Sequence, residues 1–279
     1  MGIILGIDIG GSTTKICGFH ENGKLIEPLS VKADDPVSSI YGAFGKFTSL
    51  HGILLSQVER VMVTGAGSSY ISDDLYGIPT EHVREFDCIG LGGQYLAGLS
   101  EAIVVSMGTG TALVHVKGDS MEYLGGTGVG GGTLFGLSET ILDVRDMDIL
   151  EALAEKGDIS KIDLRISDIS KKSLSPTLDL DTTASNFGKL SDLATKEDLA
   201  LGIINLVFET IGMISVFGAK RFGIRDVVLT GKLSAMKKAK TVFGTLGKMF
   251  DMNFIFPENA RYGTVIGAAL LHFHKLRNS

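Results

Sequence analysis

An apolar strand that runs into a turn of glycine and hydroxyl residues, and then into a second strand, occurs twice in this sequence. The first copy has its turn within residues 8–15 and the second within 106–112. Another pair of segments is also similar, since RVMVTG at 60–65 and DVVLTG at 226–231 both end in Thr-Gly before a predicted helix. Such self-similarity indicates an internal duplication. We therefore predict an α/β fold with two similar lobes, residues 1–100 and 101–279, and a polar helical insertion at about 143–198.

The hydrophobic pattern predicts an alternation of strands and helices. The pattern of apolar runs and polar turns in residues 3–31 predicts three antiparallel strands joined by two hairpin turns. The longest apolar stretch, 199–217, is interrupted by Asn205, Glu209 and Thr210, so we expect a buried helix there and no membrane span. The remaining predictions for the first lobe are a helix at 37–54, a strand at 58–65, a short helix at 68–76, a strand at 80–86 and a helix at 89–99.

Composition excludes several function classes. The chain is 44% hydrophobic and 21% charged, which is unlike a disordered protein. Its formal charge of 26 − 32 = −6 argues against a dedicated nucleic-acid binder. No basic leader precedes the first strand, and two cysteines are too few for a disulfide framework. We expect a cytoplasmic protein without nucleic-acid or membrane partners. Glycine is in excess, with 37 of 279 residues. Glycine is favoured where a backbone must turn tightly or approach a ligand closely.

The first turn combines groups that suit a phosphate chain. Its two glycines lack Cβ atoms, so successive backbone N–H groups can converge on phosphate oxygens, and three hydroxyl residues can add donors. Lys15 adds a positive charge. Asp8, at the end of a strand, is placed to hold Mg²⁺, an ion that takes few carboxylates and keeps several waters. A plain tight hairpin is the alternative. The residues predicted to bind nucleotide here are Asp8, Ile9, Gly10, Gly11, Ser12, Thr13, Thr14 and Lys15.

Two further glycine segments extend this pattern. The second turn, GTGT at 108–111, likewise combines glycines with hydroxyl residues. A third segment, GGTGVGGGT at 125–133, leads into a predicted helix at 134–142, and a helix N-terminus is a ready anion site. A flexible flap is the alternative for this third segment. Taken together, the three segments predict a nucleotide site between the lobes.

These residues resemble the actin-like ATPase superfamily, which has two RNase H-like lobes with a nucleotide cleft between them. Within it, EFD at 85–87, GTGT at 108–111, GGTGVGGGT at 125–133, ASNFGK at 184–189 and GAA at 267–269 resemble the type II pantothenate kinases. The resemblance covers almost the whole chain. It implies a homodimer that uses ATP and Mg²⁺ to phosphorylate the primary hydroxyl of pantothenate, the first step of coenzyme A biosynthesis.

The resemblance also implies roles for individual residues. Glu85 matches the catalytic carboxylate, which takes the proton of the acceptor hydroxyl, and Asp87 is the alternative base. Thr109 and Thr111 match positions that line the substrate pocket, and Ala184 matches a residue that reaches the substrate of the partner protomer. The positions that match nucleotide-binding residues are Gly108, Thr109, Gly110, Gly131, Gly132, Thr133, Leu134, Phe135, Gly231 and Lys232.

The sequence departs from the family pattern at one substrate position. Tyr123 stands where the family has an arginine that binds the substrate carboxylate. A tyrosine donates one hydrogen bond and cannot supply the charged, two-pronged contact of arginine. Losing a charge-assisted contact weakens binding by about 1.5–3 kcal/mol. Arg84 could replace it, although alternation along a strand would direct it away from Glu85. The acceptor could therefore be a related alcohol without a carboxylate, such as pantetheine.

Other interpretations remain open at this stage. A sugar kinase or a non-catalytic ATP-binding regulator of the same superfamily would carry similar turns. Activators of acyl-CoA dehydratases also have such a loop, and they share an iron–sulfur cluster across a dimer. For that reason Cys17 and Cys88 are candidate cluster ligands, but buried apolar packing is the expected role of both.

Overall fold

The computed structural model describes residues 2–11, 13–32, 35–172 and 179–278. Two five-stranded sheets and a two-stranded sheet form the β structure of these residues. The strands are β1 (Ile3–Ile9), β2 (Thr13–His20), β3 (Leu25–Lys32), β4 (Val58–Thr64), β5 (Thr80–His82), β6 (Glu101–Met107), β7 (Thr111–Lys117), β8 (Ser120–Thr127), β9 (Leu164–Arg165), β10 (Thr183–Ser185), β11 (Asp226–Thr230) and β12 (Asn253–Ile255).

Eight α-helices accompany the sheets in the described part of the chain, together with short 3₁₀ turns. The helices are α1 (Pro36–His51), α2 (Glu85–Ala97), α3 (Gly131–Leu142), α4 (Met147–Ala154), α5 (Ile166–Ile169), α6 (Lys196–Phe222), α7 (Lys237–Phe250) and α8 (Gly263–Asn278). The mixed α/β class predicted from the sequence is therefore confirmed.

The two large sheets share one topology, as the duplication predicted. The first has the strand order β3-β2-β1-β4-β5 and the second has the order β8-β7-β6-β11-β12. In each, three antiparallel strands form a meander, and two parallel strands extend the sheet beyond its first strand. β1 is buried along its whole length because the sheet is covered on both faces. The domain boundary at residue 100 lies between α2 and β6 and stays a prediction.

The Thr-Gly ends of the repeated segments have the same geometry in both sheets. Gly65 has φ 89° and Gly231 has φ 87°, a backbone conformation that side chains disfavour. A Cβ atom on Gly65 would lie 2.5 Å from the Ile9 carbonyl oxygen, and one on Gly231 would lie 2.5 Å from the Met107 carbonyl oxygen. The glycines are needed because the chain passes directly against the neighbouring strand end at each turn.

Helices α2 and α8 pack against each other through glycines. A Cβ atom on Gly92 would lie 1.8 Å from the carbonyl oxygen of Gly263, and one on Gly267 would lie 1.9 Å from the carbonyl oxygen of Cys88. The two backbones are therefore in direct contact. α8 also packs on β1, so the last helix of the chain covers the first sheet.

The longest helix, α6, is the one element with the length and hydropathy of a membrane span among the described residues. More than half of its most apolar window is buried, and it packs in the same core as β6 and α7. A reciprocal pair of hydrogen bonds between Thr195 and Asp198 caps its start, and Gly223 ends it in a left-handed conformation. The prediction of a buried helix at 199–217 is confirmed.

The insertion is helical in part and contains the two-stranded sheet. Asp163 is fully buried and accepts hydrogen bonds from the Phe187 amide at 2.8 Å and the Asn205 side chain at 2.8 Å. Asn186 donates to both Asp163 and Glu209. This network fixes the ASNFG segment to α6.

Two local predictions were wrong. The predicted strand at 80–86 ends at His82, and α2 begins at Glu85, because the carboxylates of Glu85 and Asp87 favour the first turn of a helix over a strand. The predicted helix at 68–76 is instead a 3₁₀ turn at Ala66–Tyr70. The first error matters for the site, since it changes where Glu85 and its neighbours point.

Candidate active site

The turn between β1 and β2 brings a carboxylate and an ammonium group together. Asp8 and Lys15 are paired in the antiparallel register, and their charged atoms lie 3.2 Å apart. Their side chains are only 7% and 15% exposed, respectively. The pair is thus held at the floor of the site, where screening by water is reduced. Ser12, predicted as a donor in this turn, lies outside the described residues.

The turn between β6 and β7 faces the first one. A Cβ atom on Gly11 would lie 3.9 Å from Oγ1 of Thr109, so the two turns are in near contact across the lobes. The backbone amides of Gly11, Thr109 and Gly110 donate to no other residue in the described part of the chain. These donors are therefore free to bind an anion between the turns.

A cavity of about 810 Å³ opens where the turns meet, which is large enough for a nucleotide and a second small molecule. Of the predicted site residues, those that line it are Asp8, Gly10, Gly11, Thr13, Lys15, Glu85, Gly108, Thr109, Gly110, Thr111, Tyr123, Gly131, Gly132, Phe135, Gly231 and Lys232. Residues from both repeated hairpins and from the glycine cluster are thus brought to one place.

Glu85 lies on the wall of this cavity, at the first position of α2. Its side chain is reached by solvent from the cavity, but the surrounding walls desolvate the carboxylate and raise its pKa. The negative charge of Asp8 raises the pKa further, and Lys15 partly offsets this effect. A carboxylate whose pKa is raised is a better proton acceptor than an ordinary glutamate.

The glycine cluster acts differently from the prediction. The amides of Gly131 and Gly132, at the start of α3, donate to the carbonyl oxygens of Gly108 and Thr109, both at 2.8 Å. These two amides are therefore used within the chain, and the anion site expected at the start of this helix stays a prediction. The cluster instead fixes the second turn to α3, which holds that turn in place.

Four predicted nucleotide-binding side chains do not reach the cavity. Ile9 and Leu134 are buried in the cores of the two lobes. Thr14 is fully buried and accepts a hydrogen bond from Ser39 at 2.6 Å. Thr133 caps α3, donating to the Gly128 carbonyl and accepting from the Gly130 amide. All four stabilise the local structure around the turns.

Ala184 is exposed on β10, away from the cavity of its own chain, and its contact with a partner stays a prediction.

The tyrosine predicted to lie on the substrate side is part of an aromatic pair. Tyr123 stacks on Phe86 with ring centroids 3.7 Å apart, and both rings are exposed. Arg84 does not reach the main cavity, since its guanidinium makes two hydrogen bonds to Asp87, at 2.8 and 3.0 Å. Asp87 is therefore engaged on the outer side of α2, which leaves Glu85 as the carboxylate of this helix that faces the cavity.

Several lining residues were not predicted. They include Ala66, Met147, Leu233 and Thr264. Ala66 follows Gly65 as Lys232 follows Gly231, so the repeat itself could have identified it. Met147 begins α4 in the insertion, and no pattern in the sequence marked it.

The cavity offers few side-chain ligands for a divalent cation. Among the described residues no group of three or more His, Cys, Asp or Glu side chains could hold a metal ion. Asp8 alone, with Glu85 nearby, suits an ion such as Mg²⁺ that is held by one or two carboxylates and by phosphate oxygens. Cys17 and Cys88 are both buried free thiols, as expected, and burial raises the pKa of Cys88 to about 12.

Solved structures with the same architecture carry ATP analogues. The activator of the 2-hydroxyisocaproyl-CoA dehydratase from Clostridium difficile, with bound ADPNP, superimposes with a TM-score of 0.69 at 17% identity, over 99% of this chain and 96% of the other. A ROK family glucokinase from Streptomyces griseus, in complex with glucose and AMPPNP, gives a TM-score of 0.60 at 14% identity, over 97% and 99% of the two chains. These similarities confirm the actin-like ATPase fold.

Sequence comparison identifies the family. Residues 100–254 match the family model described as Fumble. The type II pantothenate kinase of Oceanobacillus iheyensis is 30% identical over 276 residues, 95% of this chain and 98% of its own. That of Staphylococcus aureus is 28% identical, over 81% of this chain and 83% of its own. The chain is accordingly an ATP-dependent phosphotransferase and belongs to the type II pantothenate kinase, or Fumble, family.

Proposed function

We propose that this enzyme transfers the γ-phosphoryl group of ATP to the primary hydroxyl of pantothenate, and so acts in coenzyme A biosynthesis. The acceptor oxygen forms a bond to the γ-phosphorus, the bond from that phosphorus to the β–γ bridging oxygen breaks, and ADP leaves. The hydroxyl proton passes to Glu85. The observation that carries the proposal is the meeting of both hairpin turns and Glu85 around one cavity.

The phosphate chain would lie between the two turns. Free amides of Gly11, Thr109 and Gly110 would donate to its oxygens, and Lys15 would supply positive charge. Phosphoryl transfer needs mainly alignment and neutralisation of charge, and donors that are fixed before the substrate binds provide both. The hydrogen bonds from Gly131 and Gly132 support this function by holding the second turn rigidly.

Glu85 would orient the acceptor hydroxyl and accept its proton. Burial and the charge of Asp8 raise the pKa of Glu85, which makes it a stronger base than an ordinary glutamate. A position at the start of α2 also fixes its direction, because the helix is locked onto α8 by glycine contacts. Asp8 would hold Mg²⁺ with the phosphates, and the ion when bound neutralises charge on the β- and γ-phosphoryl oxygens.

A neutral relative of pantothenate is the second candidate acceptor. Within the described residues, the cavity is lined by two cationic side chains, Lys15 and Lys232, and Lys15 is already paired with Asp8. Tyr123, whose ring stacks on Phe86, lines the cavity where the family has an arginine. This arrangement favours an acceptor such as pantetheine, in which an amide replaces the carboxylate.

The wider setting is also proposed from the family. We infer a homodimer in which Ala184 reaches the substrate of the partner protomer, and a location in the cytoplasm. The ASNFG segment that carries Ala184 is held rigidly by Asp163 and Glu209, which suits a surface that contacts another chain.

An ATP-consumption assay with a panel of alcohols tests the proposal. The panel contains pantothenate, pantetheine, sugars and amino sugars. We expect turnover with pantothenate or pantetheine, and stimulation by sugars alone would make the enzyme a sugar kinase. If no alcohol raises turnover above basal hydrolysis, the kinase proposal is wrong and a nucleotide-binding regulator replaces it.

Matched variants test the base. Glu85→Gln is expected to lower kcat by about 100- to 10,000-fold, the usual contribution of a general base, with nucleotide affinity unchanged within a few-fold. Asp87→Asn, two residues along the same helix, is the control and is expected to retain activity. Loss of activity in Asp87→Asn but not in Glu85→Gln would exchange their roles.

A further inference from the structure

Ser106 is the counterpart of Asp8 in the second lobe. Asp8 is paired with Thr64 on the parallel strand beside it, and Ser106 is paired in the same way with Thr230. Each is the last residue but one of its strand, β1 or β6, and both line the cavity. The duplication therefore places a hydroxyl in the second lobe where the first lobe has a carboxylate.

The start of α8 brings a second hydroxyl to the same part of the molecule. A Cβ atom on Gly6 of β1 would overlap the carbonyl oxygen of Val265, so the first turn of α8 lies against the first sheet. A Cβ atom on Gly263 would lie 3.1 Å from Cβ of Thr230, at the end of β11. Thr264 stands between these two contacts and lines the cavity. Its side chain is therefore placed where the two lobes meet.

The hydroxyl groups of Ser106 and Thr264 make no hydrogen bond to any described residue. Thr264 is only 8% exposed, and polar groups so nearly buried usually have a partner. Its oxygen is nevertheless reached by solvent, because the unpartnered polar atoms of the described residues that solvent cannot reach belong to Arg60 and Thr182. Since Thr264 and Ser106 line the cavity, their hydroxyls are open to what binds there.

Hydrogen-bond acceptors are scarcer in this cavity than donors. The donors expected to bind phosphate are the ammonium group of Lys15 and the free amides of Gly11, Thr109 and Gly110. Water molecules held by a divalent cation are donors themselves and need acceptors, and Mg²⁺ keeps several waters when few carboxylates bind it. A hydroxyl oxygen can accept such hydrogen bonds. It does so without adding negative charge beside the phosphates.

We propose that Ser106 and Thr264 accept hydrogen bonds from water molecules of the divalent cation that Asp8 would hold, so that residues from both lobes fix the ion. Both are positioning residues, because they act on the ion through its water. Partners of this outer kind raise metal affinity by orienting the groups that the metal binds. The inference rests on the proposed function in that a nucleotide and a cation bind in this cavity, and it adds two residues to that site.

Titration with Mn²⁺, followed by electron paramagnetic resonance, tests the proposal. The signal reports the free ion, so it gives the dissociation constant of Mn²⁺ from the enzyme saturated with ADP, without acceptor or turnover. Ser106→Ala and Thr264→Val remove one hydroxyl each and are each expected to raise this constant by roughly 3- to 10-fold, the worth of one hydrogen bond. An unchanged constant in either variant overturns the proposal for that residue.

Two controls separate the hydroxyl from packing. Thr264→Ser keeps the hydroxyl and is expected to keep the wild-type affinity for Mn²⁺. Equal loss in Thr264→Ser and Thr264→Val would show that the methyl group matters, and the assignment of Thr264 would be wrong. Ser120→Ala is the control for Ser106→Ala, because Ser120 is exposed and lies outside the cavity. Weaker binding of Mn²⁺ in Ser120→Ala would contradict a local effect of Ser106.

Calorimetric titration with ADP in the presence of EDTA distinguishes the ion from the phosphates. Ser106→Ala and Thr264→Val are expected to bind metal-free ADP as the wild type does, which also shows that the site is folded. If either variant weakens metal-free ADP binding as much as Mn²⁺ binding, its hydroxyl contacts the phosphates and the proposal is wrong. The alcohol panel judges the kinase function separately, since an enzyme without an acceptor would still give the Mn²⁺ result.

Discussion

Replacing Gly92 by alanine perturbs the contact between α2 and α8, and with it the element that begins at Glu85. The new Cβ atom would lie 1.8 Å from the Gly263 carbonyl oxygen, whereas ordinary van der Waals contacts begin at 3.4 Å. The two helices must therefore separate by up to about 1.6 Å at this point, the difference of those distances. Neither atom belongs to a flexible side chain, so the strain cannot be relieved by a rotamer change.

The cost follows from known magnitudes. Overpacking costs up to about 3 kcal/mol in most cases, and alanine in a helix regains about 1 kcal/mol relative to glycine. A net loss of about 2 kcal/mol lowers Tm by roughly 4–8 °C for a chain of this size. Displacing Glu85 by about 1 Å can also lower kcat by up to 100-fold.

Calorimetric melting and steady-state kinetics on the same preparation measure both effects. Gly45→Ala is the control, because Gly45 is exposed within α1 and a Cβ atom there would meet nothing within 4 Å. It is expected to raise stability by up to about 1 kcal/mol and to leave kcat unchanged. A Gly92→Ala protein that melts at the wild-type temperature with wild-type kcat would refute the tight packing and its link to the site.

Two further predictions concern ionisable groups. Burial and the charge of Asp8 raise the pKa of Glu85, and the base must be ionised to act, so kcat/KM should fall as pH drops through a value above the ordinary glutamate range. The pH–rate profile of Glu85→Gln should lack this acidic decline. An identical decline in both proteins would exclude Glu85 as the base. The pKa of Asp198 is lowered by hydrogen bonds from the Thr195 and Asp158 amides and from Lys161. Its stabilisation is therefore present above the ordinary aspartate pKa and is lost as pH falls through the lowered folded-state value. Asp198→Asn should lower the free energy of unfolding, measured with urea, by about 1.5–3 kcal/mol at pH 7 and by less at low pH. Equal destabilisation at both pH values would contradict the charge-assisted network.

The repeated hairpins made the fold predictable from sequence. Strand patterns at 3–31 and 103–116, with the paired Thr-Gly ends, specify two sheets of equal topology, because strand alternation and turn chemistry are local properties. The start of α2 was missed for a related reason. A short apolar segment with charges at both ends is compatible with a strand or a helix, and packing on α8 through Gly92 and Gly267 decides between them.

The site was predictable only where residue type sets the function. Asp8, Lys15 and Thr109 line the cavity as expected, since the two hairpins meet there. Thr14 and Leu134 do not line the cavity, because successive side chains point to opposite faces along β2 and in different directions around α3. Their contacts with nucleotide stay predictions. Met147 could not be predicted, since its place on the wall depends on how the insertion folds back onto the second lobe.

The central claim is that both hairpin turns hold the triphosphate together, and hydrogen–deuterium exchange tests it most directly. Backbone amides of residues 10–15 and 108–111 would be compared in the free protein and with a non-hydrolysable ATP analogue and Mg²⁺. We predict that exchange slows in both turns together, because free amides on each would donate to the same phosphate chain. Slowing in one turn alone, or in neither while the analogue is bound, would contradict the claim.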